Sequence, residues 1–270
     1  MAKKANPTLG TIRTGIGGWV YPPWRESFYP AAVKAADTLR YAASRLAAIE
    51  INATFHGTQT PESFARWASE TPEGFVFSVK AARGAAIRKD PQEAAPAIER
   101  FLGSGLSELG DRLGPILWQL PAGRVFDAAT VERFLDLLPD ALDGLRLRHA
   151  IEAAHPSFRS AQALALLAER RVALVGLDKD GVDLAAPITA DFVYLRLQRT
   201  RTEQPAGYAP DALETWARRL QALAGGVVPE ALSVAAAPPV RPGPRDVFAF
   251  LIAGAKERAP AAAMALAALV

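Results

Sequence analysis

Short apolar runs alternate with amphipathic segments along the chain, and this alternation restricts the possible folds more than any other feature of the sequence. Eight runs have strand character, and the segments between them have helical periodicity. Strands that alternate with helices form βαβ units and a parallel sheet. The eight strand-like runs cover residues 12–19, 49–58, 75–81, 115–120, 148–153, 172–178, 192–198 and 246–254.

The intervening segments carry signals that start and stop helices. Thr60 precedes Pro61, which suits an N-cap followed by the first helical residue, and Asp127 is a second expected cap. Residues 94–113 repeat apolar side chains at spacings of three and four, which predicts one long helix. The other helical segments cover residues 38–48, 60–71, 127–139, 160–171, 209–224 and the alanine-rich C-terminus.

Eight βα units in 270 residues predict an α/β fold, a single-domain (β/α)8 TIM barrel. A doubly wound open sheet is the alternative, but the first strand leads into aromatic residues and prolines rather than a glycine-rich phosphate-binding loop. We expect residues 1–11 to be a flexible tail and residues 12–270 to form the barrel. The proline-rich residues 235–246 are expected to be the loop into the eighth strand.

Composition narrows the function. The chain has no cysteine, which excludes disulfides, thiolate chemistry and cysteine-ligated metal sites. No apolar stretch reaches the roughly 20 residues of a membrane span, and no secretory signal is visible, so we expect a cytoplasmic protein. The net charge of +3 is spread along the chain. It suits a small anionic ligand, and it supports nucleic-acid binding only weakly without excluding it.

Polar side chains recur on one side of the strands, and the second run, IEINATFHGT, shows this most clearly. Glu50, Asn52, Thr54 and His56 alternate with apolar residues. We expect their side chains to point from strand two into the lumen of the barrel. Polar residues elsewhere lie late in their strands, near the C-terminal ends where barrel enzymes place their active sites. We expect those of strands three to seven to point to one mouth: Lys80, Gln119, Glu152, Asp178, Tyr194 and Arg196.

Several of these residues have a structural reading beside the functional one. Lys80 either reaches solvent or binds an anion. Trp19 and Tyr21, in the aromatic segment after strand one, either pack the loop or wall a pocket. Glu152 could orient His155 and raise its basicity to give a general base, or His155 could be a surface residue before a proline turn.

Cofactors are not identified by the sequence. There is no nucleotide-binding motif and no nucleophile elbow. A divalent metal is compatible with the residue types present, although no pair has a diagnostic metal-binding spacing. The residues that could supply its ligands are Glu50, His56, Glu152, His155 and Asp178.

The chain resembles the YecE-like family, the domain of unknown function 72. The segments that carry the resemblance are GWVYPPWRESFYP, IEINATFHGTQTPESFARWASETPEGFVFSVKA, LGPILWQLP, IEAAHPSF and FVYLRL, within residues 12–216. The resemblance implies a (β/α)8 barrel and carries no established reaction. Some family residues are replaced: His56 stands where the family has Tyr, Phe158 where it has Trp, Gln198 where it has His, and the Asn-Asn-Asp cluster of strand eight is absent.

Two hypotheses about function follow. The first is an enzyme of hydrolase or lyase type that acts on a small polar, anionic substrate at the barrel mouth. Lys80 and Arg196 would hold the anion, Glu152 and His155 would transfer protons, and Asp178 would assist or bind a metal. The second is a non-catalytic barrel that binds a ligand but has lost part of the site of its family.

Overall fold

A computed structural model describes residues 9–86, 88, 90–238 and 243–270 of the chain. Within those residues, all eight predicted strands are present, and nine strands form the main sheet. The fold is the predicted (β/α)8 TIM barrel. Its strands are β1 Ile12–Gly17, β2 Ala48–Ile51, β3 Val76–Lys80, β4 Leu113–Gln119, β7 His149–Glu152, β8 Ala173–Leu174, β9 Gly176–Asp178, β10 Phe192–Leu197 and β11 Asp246–Leu251; β5 Ala141–Leu142 and β6 Leu145–Arg146 form a separate antiparallel hairpin.

The helices follow the strands in the predicted order. They are α1 Trp24–Ser27, α2 Thr38–Arg45, α3 Ala53–His56, α4 Pro61–Ser69, α5 Arg83–Ala86, α6 Pro91–Leu102, α7 Ala128–Leu135, α8 Ala161–Glu169, α9 Pro210–Ala224 and α10 Ala259–Leu269. Short 3-10 helices lie at Ala35–Asp37, Leu106–Arg112, Pro156–Arg159, Glu230–Leu232 and Lys256–Arg258.

The described residues divide into two compact units, the first within Gly15–Phe158 and the second formed by residues 9–14 together with those of Arg159–Val270. In the first unit the strands are neighbours in the order β7-β4-β3-β2-β1, and every pairing is parallel. In the second unit β9, β10 and β11 are parallel neighbours, with β10 in the middle. Parallel neighbours bring the C-terminal ends of their strands to one edge of the sheet, which positions the polar residues discussed below.

Side chains on both faces of the strands are buried, as a parallel sheet requires. In β2, Ile49 and Ile51 are fully buried, and so is Glu50 between them. In β3, Phe77 and Val79 are fully buried and alternate with the equally buried Ser78, whose hydroxyl donates to the carbonyl of Pro115 at 2.9 Å. The polar residues of these strands therefore face the protein interior rather than water.

The expected helix caps form. Thr60 accepts a hydrogen bond from the Ser63 backbone N–H at 3.4 Å at the start of α4. Asp127 accepts one from the Thr130 N–H at 2.8 Å at the start of α7. A side-chain oxygen at the N-cap satisfies one of the backbone donors that the first helical turn leaves unpaired.

The prediction for strand two was wrong beyond Ile51. The strand ends there, and Ala53–His56 is a helical turn, so Asn52, Thr54 and His56 do not continue along the lumen. The reason lies in local hydrogen bonds to the backbone, which compete with the sheet ladder. The Thr54 hydroxyl lies 3.3 Å from the Ile51 carbonyl, and the Asn52 amide donates to the Glu50 carbonyl at 3.3 Å.

The single helix predicted for residues 94–113 was also wrong. Helix α6 ends at Leu102, and Leu106–Arg112 forms a 3-10 helix instead. Gly105 separates them with φ +102°, a conformation that favours glycine. A Cβ atom at Gly105 would lie 2.6 Å from the Cα of Pro61, so the break is also a point of close packing against α4.

Two further expectations fall partly outside the described residues. Residues 1–8 of the predicted tail are not among them, while Gly10 donates its N–H to the carbonyl of Ala224 at 3.0 Å and Thr11 donates to Asp246 at 3.1 Å. Residues 239–242 of the proline-rich loop are also outside the described part of the chain. Of the helices in the described part, none is long and apolar enough to span a bilayer.

Candidate functional site

Three neighbouring strands of the first unit end in polar residues that the sequence had singled out. Lys80 ends β3, Gln119 ends β4 and Glu152 ends β7, and we call these three residues the strand-end cluster. Gln119 and Glu152 are paired in register, and the Gln119 amide nitrogen donates to Glu152 Oε1 at 2.8 Å. Lys80 and Glu152 are each only 8% exposed. Charged groups are rarely buried, and their position at the C-terminal ends of adjacent strands makes this cluster a candidate site.

Helical turn α3 fixes the surroundings of Lys80. The Thr54 hydroxyl donates to the Lys80 carbonyl at 2.6 Å. The Lys80 ammonium lies 3.8 Å from the centroid of the Phe55 ring, within the range of a cation–π contact. His56 is exposed and packs its ring edge-on against Phe55, with centroids 5.2 Å apart. Of the residues predicted to line strand two, Thr54 therefore contacts the end of β3, and His56 packs on the ring that covers Lys80.

A cavity of about 350 Å³ adjoins this turn. Thr54, Phe55 and His56 line it together with Arg83 and Arg100, two residues that sequence reasoning missed. Neither arginine lies in a strand, and the search for polar residues at strand ends could not find them.

His155 has a local partner rather than a catalytic one among the contacts described. Its Nδ1 atom accepts from the backbone N–H of Ser157 at 3.3 Å and lies 2.8 Å from the Ser157 hydroxyl. The same hydroxyl oxygen accepts from the Phe126 N–H at 2.8 Å, and Nδ1 is the acceptor of the Ser157 N–H. In the neutral ring the proton is therefore on Nε2. The predicted acid–base pairing of His155 with Glu152 stays a prediction.

Trp19 and Tyr21 have aromatic neighbours, as the packing interpretation expects. The Trp19 ring packs edge-on against Trp67 of α4, with centroids 5.2 Å apart. Its carbonyl accepts a hydrogen bond of 2.6 Å from Tyr29, whose pKa is raised by burial of the phenol. The Tyr21 ring is edge-on to Trp24, at 5.4 Å. A role of either residue in ligand binding stays a prediction.

Asp178 lies in the second unit, at the end of β9, and has partners that the sequence did not reveal. The Tyr208 hydroxyl donates to Asp178 Oδ2 at 2.9 Å and accepts from the backbone N–H of Arg199 at 3.1 Å. The Arg199 Nε lies 3.3 Å from Asp178 Oδ1 and 3.2 Å from Asp180 Oδ1, at ion-pair distance but without hydrogen-bond geometry. We call Asp178, Tyr208 and Arg199 the Asp178 cluster.

Burial dominates the electrostatics of the Asp178 cluster. It raises the pKa of Asp178, although the hydrogen bond from Tyr208 and the charge of Arg199 oppose the shift. Burial also raises the pKa of Tyr208, and the negative charge of Asp178 adds to that effect. Tyr208 lies in the loop before α9, outside every strand, and no motif marked it.

The two remaining predicted residues lie within β10. Tyr194 is fully buried and packs against Phe250 with ring centroids 5.1 Å apart. Arg196 is 4% exposed. Their predicted part in substrate binding stays a prediction.

A metal site is not formed by the candidate ligands. Among the described residues, no group of three or more His, Asp or Glu side chains is arranged to hold a metal ion. The five candidates named from the sequence therefore do not converge in the way a metal site requires.

Comparison with known proteins gives the family and the fold. The model of a family described as "Protein of unknown function DUF72" matches residues 13–270. No curated protein matches.

Solved structures of the same family are similar to this chain. A DUF72 family protein from Thermotoga maritima MSB8 is 20% identical to this chain with a TM-score of 0.69. The alignment covers 95% of this chain and 97% of the Thermotoga chain. One from Enterococcus faecalis V583 has a TM-score of 0.68 and 18% identity, covering 95% of this chain and 96% of its own. At these identities the likeness shows the fold alone.

Proposed function

This chain belongs to the DUF72 family of proteins of unknown function, and from the geometry of its strand-end cluster we propose that it is an enzyme acting on a small anionic substrate. The observation that carries the proposal is the row Lys80, Gln119 and Glu152 at the C-terminal ends of three adjacent parallel strands, in which Lys80 and Glu152 are buried. That edge is where TIM-barrel enzymes place their reacting groups.

The roles follow from the chemistry of the three side chains. The Lys80 ammonium supplies positive charge for an anionic substrate, and its poor exposure strengthens that interaction because water screens it little. The Glu152 carboxylate transfers the proton, as general acid or base. Gln119 orients that carboxylate through its 2.8 Å hydrogen bond. Proton transfer next to a bound anion is suited to a lyase or a hydrolase.

His155 is the second proton-transfer group of the proposal. Its ring is oriented by the two contacts that Ser157 makes with Nδ1, so Nε2 carries the proton in the neutral form. A ring held in this tautomer can donate a hydrogen bond through Nε2, and after proton uptake at Nδ1 the imidazolium can transfer its Nε2 proton. We assign it the role of donor and Glu152 the role of acceptor.

The second candidate function is a barrel that binds its ligand without turnover. The replaced family residues favour it, among them Phe158 and Gln198. Both candidates require the same anion site, and they differ only in whether Glu152 has a chemical role.

A screen of small carboxylates, phosphate esters and sugars tests the proposal. Binding is detected by ligand-induced thermal stabilisation, and turnover of each stabilising compound is followed by NMR. We expect Glu152→Gln to keep binding and lose at least about 100-fold in turnover, the usual range for a lost acid–base group. We expect Lys80→Met to weaken binding. Glu132→Gln, an exposed substitution on α7, is the matched control.

The outcomes separate the candidates. Turnover that survives Glu152→Gln unchanged contradicts the enzyme as proposed. Stabilisation by a ligand without any product supports the binding protein instead. Stabilisation that Lys80→Met and Glu132→Gln affect equally would remove the strand-end cluster from both proposals.

A further inference from the structure

The cavity next to α3 is built from segments that follow two adjacent strands. Residues 54–59 come after β2, residues 82–84 come after β3, and residues 97–104 belong to α6 and the turn beyond it. Its volume of about 350 Å³ is within the range of small-molecule sites. It lies beside Lys80, because Phe55 lines the cavity and its ring contacts the Lys80 ammonium at 3.8 Å.

The charge of the lining has one sign. Arg83 and Arg100 contribute guanidinium groups, and of the described residues that line the cavity none is an aspartate or a glutamate. Within the described part of the chain, neither arginine takes part in an ion pair or a side-chain hydrogen bond. Two guanidinium groups on the lining of one cavity, without a carboxylate in that lining, favour an anion there.

Two hydroxyl groups of the lining already have acceptors. The Thr54 hydroxyl donates to the Lys80 carbonyl at 2.6 Å, and the Ser104 hydroxyl donates to the Phe101 carbonyl at 2.6 Å. Their protons are therefore engaged by the backbone. The donors that remain for a ligand include the Thr58 hydroxyl and the guanidinium groups, whose forked N–H pattern matches carboxylate and phosphate oxygens.

Small residues keep the space open. A Cβ atom placed on Gly57 would meet nothing within 4 Å, and Gly57 has an extended backbone that any residue can adopt. A Cβ atom on Gly84 would lie 3.8 Å from the Cβ of Ala97, an ordinary contact across the lining. Side chains can therefore be added at these positions without straining the fold.

We propose that this cavity binds the dianionic end of the substrate, a phosphate monoester or a dicarboxylate, through Arg83 and Arg100. The assignment deepens the proposed function and rests on it for the identity of the ligand as a substrate. A dianion compensates two guanidinium groups, and a ligand held there lies one aromatic ring away from Lys80. The substrate class is thus a small molecule whose anionic group is bound in the cavity while Glu152 acts on another part of it.

Calorimetric titration at constant ionic strength tests the site, with inorganic phosphate and succinate as probes and acetate as a monoanionic reference. The variants are Arg83→Ala, Arg100→Ala and Gly84→Val, with Arg66→Ala on α4 as an exposed arginine outside the lining. We expect saturable binding of phosphate or succinate that is at least tenfold tighter than that of acetate. Each cavity variant should weaken it about tenfold, the scale of one charge-assisted hydrogen bond.

Three results overturn the assignment. Neither dianion binds saturably, or Arg66→Ala weakens binding as much as the cavity variants do. The third is that a double variant carrying Arg83→Ala and Arg100→Ala binds the dianions as tightly as the unchanged protein. Phosphate binding without succinate binding assigns a phosphate ester, and the reverse assigns a dicarboxylate. Failure here is distinguishable from failure of the proposed function. Turnover that depends on Glu152 but not on the two arginines contradicts only the cavity site. Dianion binding without any turnover contradicts only the proposal that the protein is an enzyme.

Discussion

The strand-end cluster and the Asp178 cluster are both buried polar groups at the C-terminal ends of parallel strands, yet their surroundings differ. Asp178 is surrounded by partners from its own unit, because Tyr208 and Arg199 contact its two oxygens. The strand-end cluster adjoins a cavity of about 350 Å³ whose lining has positive charge and no carboxylate among the described residues. The Asp178 carboxylate is compensated within its own cluster, whereas the cavity beside the strand-end cluster offers the positive charge of Arg83 and Arg100 to a ligand.

This difference refines the rule that led to both clusters. A polar residue late in a barrel strand marks the correct end of the barrel, but it does not distinguish a ligand site from a structural network. The distinguishing feature is an adjoining cavity lined by positive charge. By that criterion we propose the strand-end cluster as the site, and we expect the Asp178 cluster to stabilise its own unit.

Removing the Asp178 carboxylate should have the largest effect on stability. We expect Asp178→Ala to lower the free energy of unfolding by about 2–3 kcal/mol, because the buried Tyr208 hydroxyl loses its acceptor and the Arg199 guanidinium loses one of its two carboxylate neighbours. Urea denaturation measures this directly. A change below about 0.5 kcal/mol would show that the Asp178 cluster is not a structural network.

Tyr208→Phe should have a smaller, pH-dependent effect. Burial raises the pKa of Asp178, so its ionised form is disfavoured in the folded protein, and the hydrogen bond from Tyr208 opposes this shift. In the unfolded chain the Asp178 carboxyl titrates near the usual pKa of an aspartate. The free energy of unfolding therefore falls as the pH rises from that value through the higher pKa of the folded protein. We expect Tyr208→Phe to lose about 1–2 kcal/mol at pH 7 and less at pH 4. Equal losses at both pH values would contradict the assigned hydrogen bond.

A third buried polar group, His149 in the first unit, gives the opposite pH dependence. Its Nδ1 accepts from Trp118 at 3.1 Å, Nε2 donates to the Pro139 carbonyl at 2.8 Å, and burial lowers its pKa. The His149 ring binds a proton more readily in the unfolded chain than in the folded protein. Its contribution to the free energy of unfolding is therefore fully present above about pH 6.5 and is lost as the pH falls. We expect a loss on the order of 1 kcal/mol between pH 7.5 and 5.5 that His149→Gln removes. An identical acid slope in the variant would contradict the assignment.

The cavity arginines should have the smallest effect on stability. Both are exposed, and neither has an ion-pair partner among the described residues, so Arg83→Ala and Arg100→Ala should each change the free energy of unfolding by less than about 0.5 kcal/mol. Thermal and urea unfolding without ligand check this. A loss as large as that of Asp178→Ala would mean that the arginines serve the fold and would end the contrast between the two clusters.

The periodicity of the sequence predicted the barrel well, for a physical reason. Buried parallel strands must be apolar, and their helices must be amphipathic, so both signals are local. The end of β2 was missed because Thr54 and Asn52 bond to nearby carbonyls, an interaction that alternation does not encode. The break at Gly105 depends on close packing against Pro61, which is a contact between distant residues.

The candidate site was predictable only in its strand residues. Lys80, Gln119 and Glu152 could be found because strand ends are visible in the sequence and share an edge of the sheet. Arg83 and Arg100 lie in helices, and their approach to the site depends on tertiary packing. The pairing of Gln119 with Glu152 also needed the register of β4 against β7.

A crystal structure of the protein with selenate tests the central claim most directly, since this tetrahedral dianion can be located by its anomalous scattering. The account predicts an anomalous peak within hydrogen-bond distance of a guanidinium group of Arg83 or Arg100, about 2.7–3.2 Å, in the cavity beside Phe55 and Lys80. A cavity without a peak, together with a selenate bound by Arg199 at the Asp178 cluster, would contradict it.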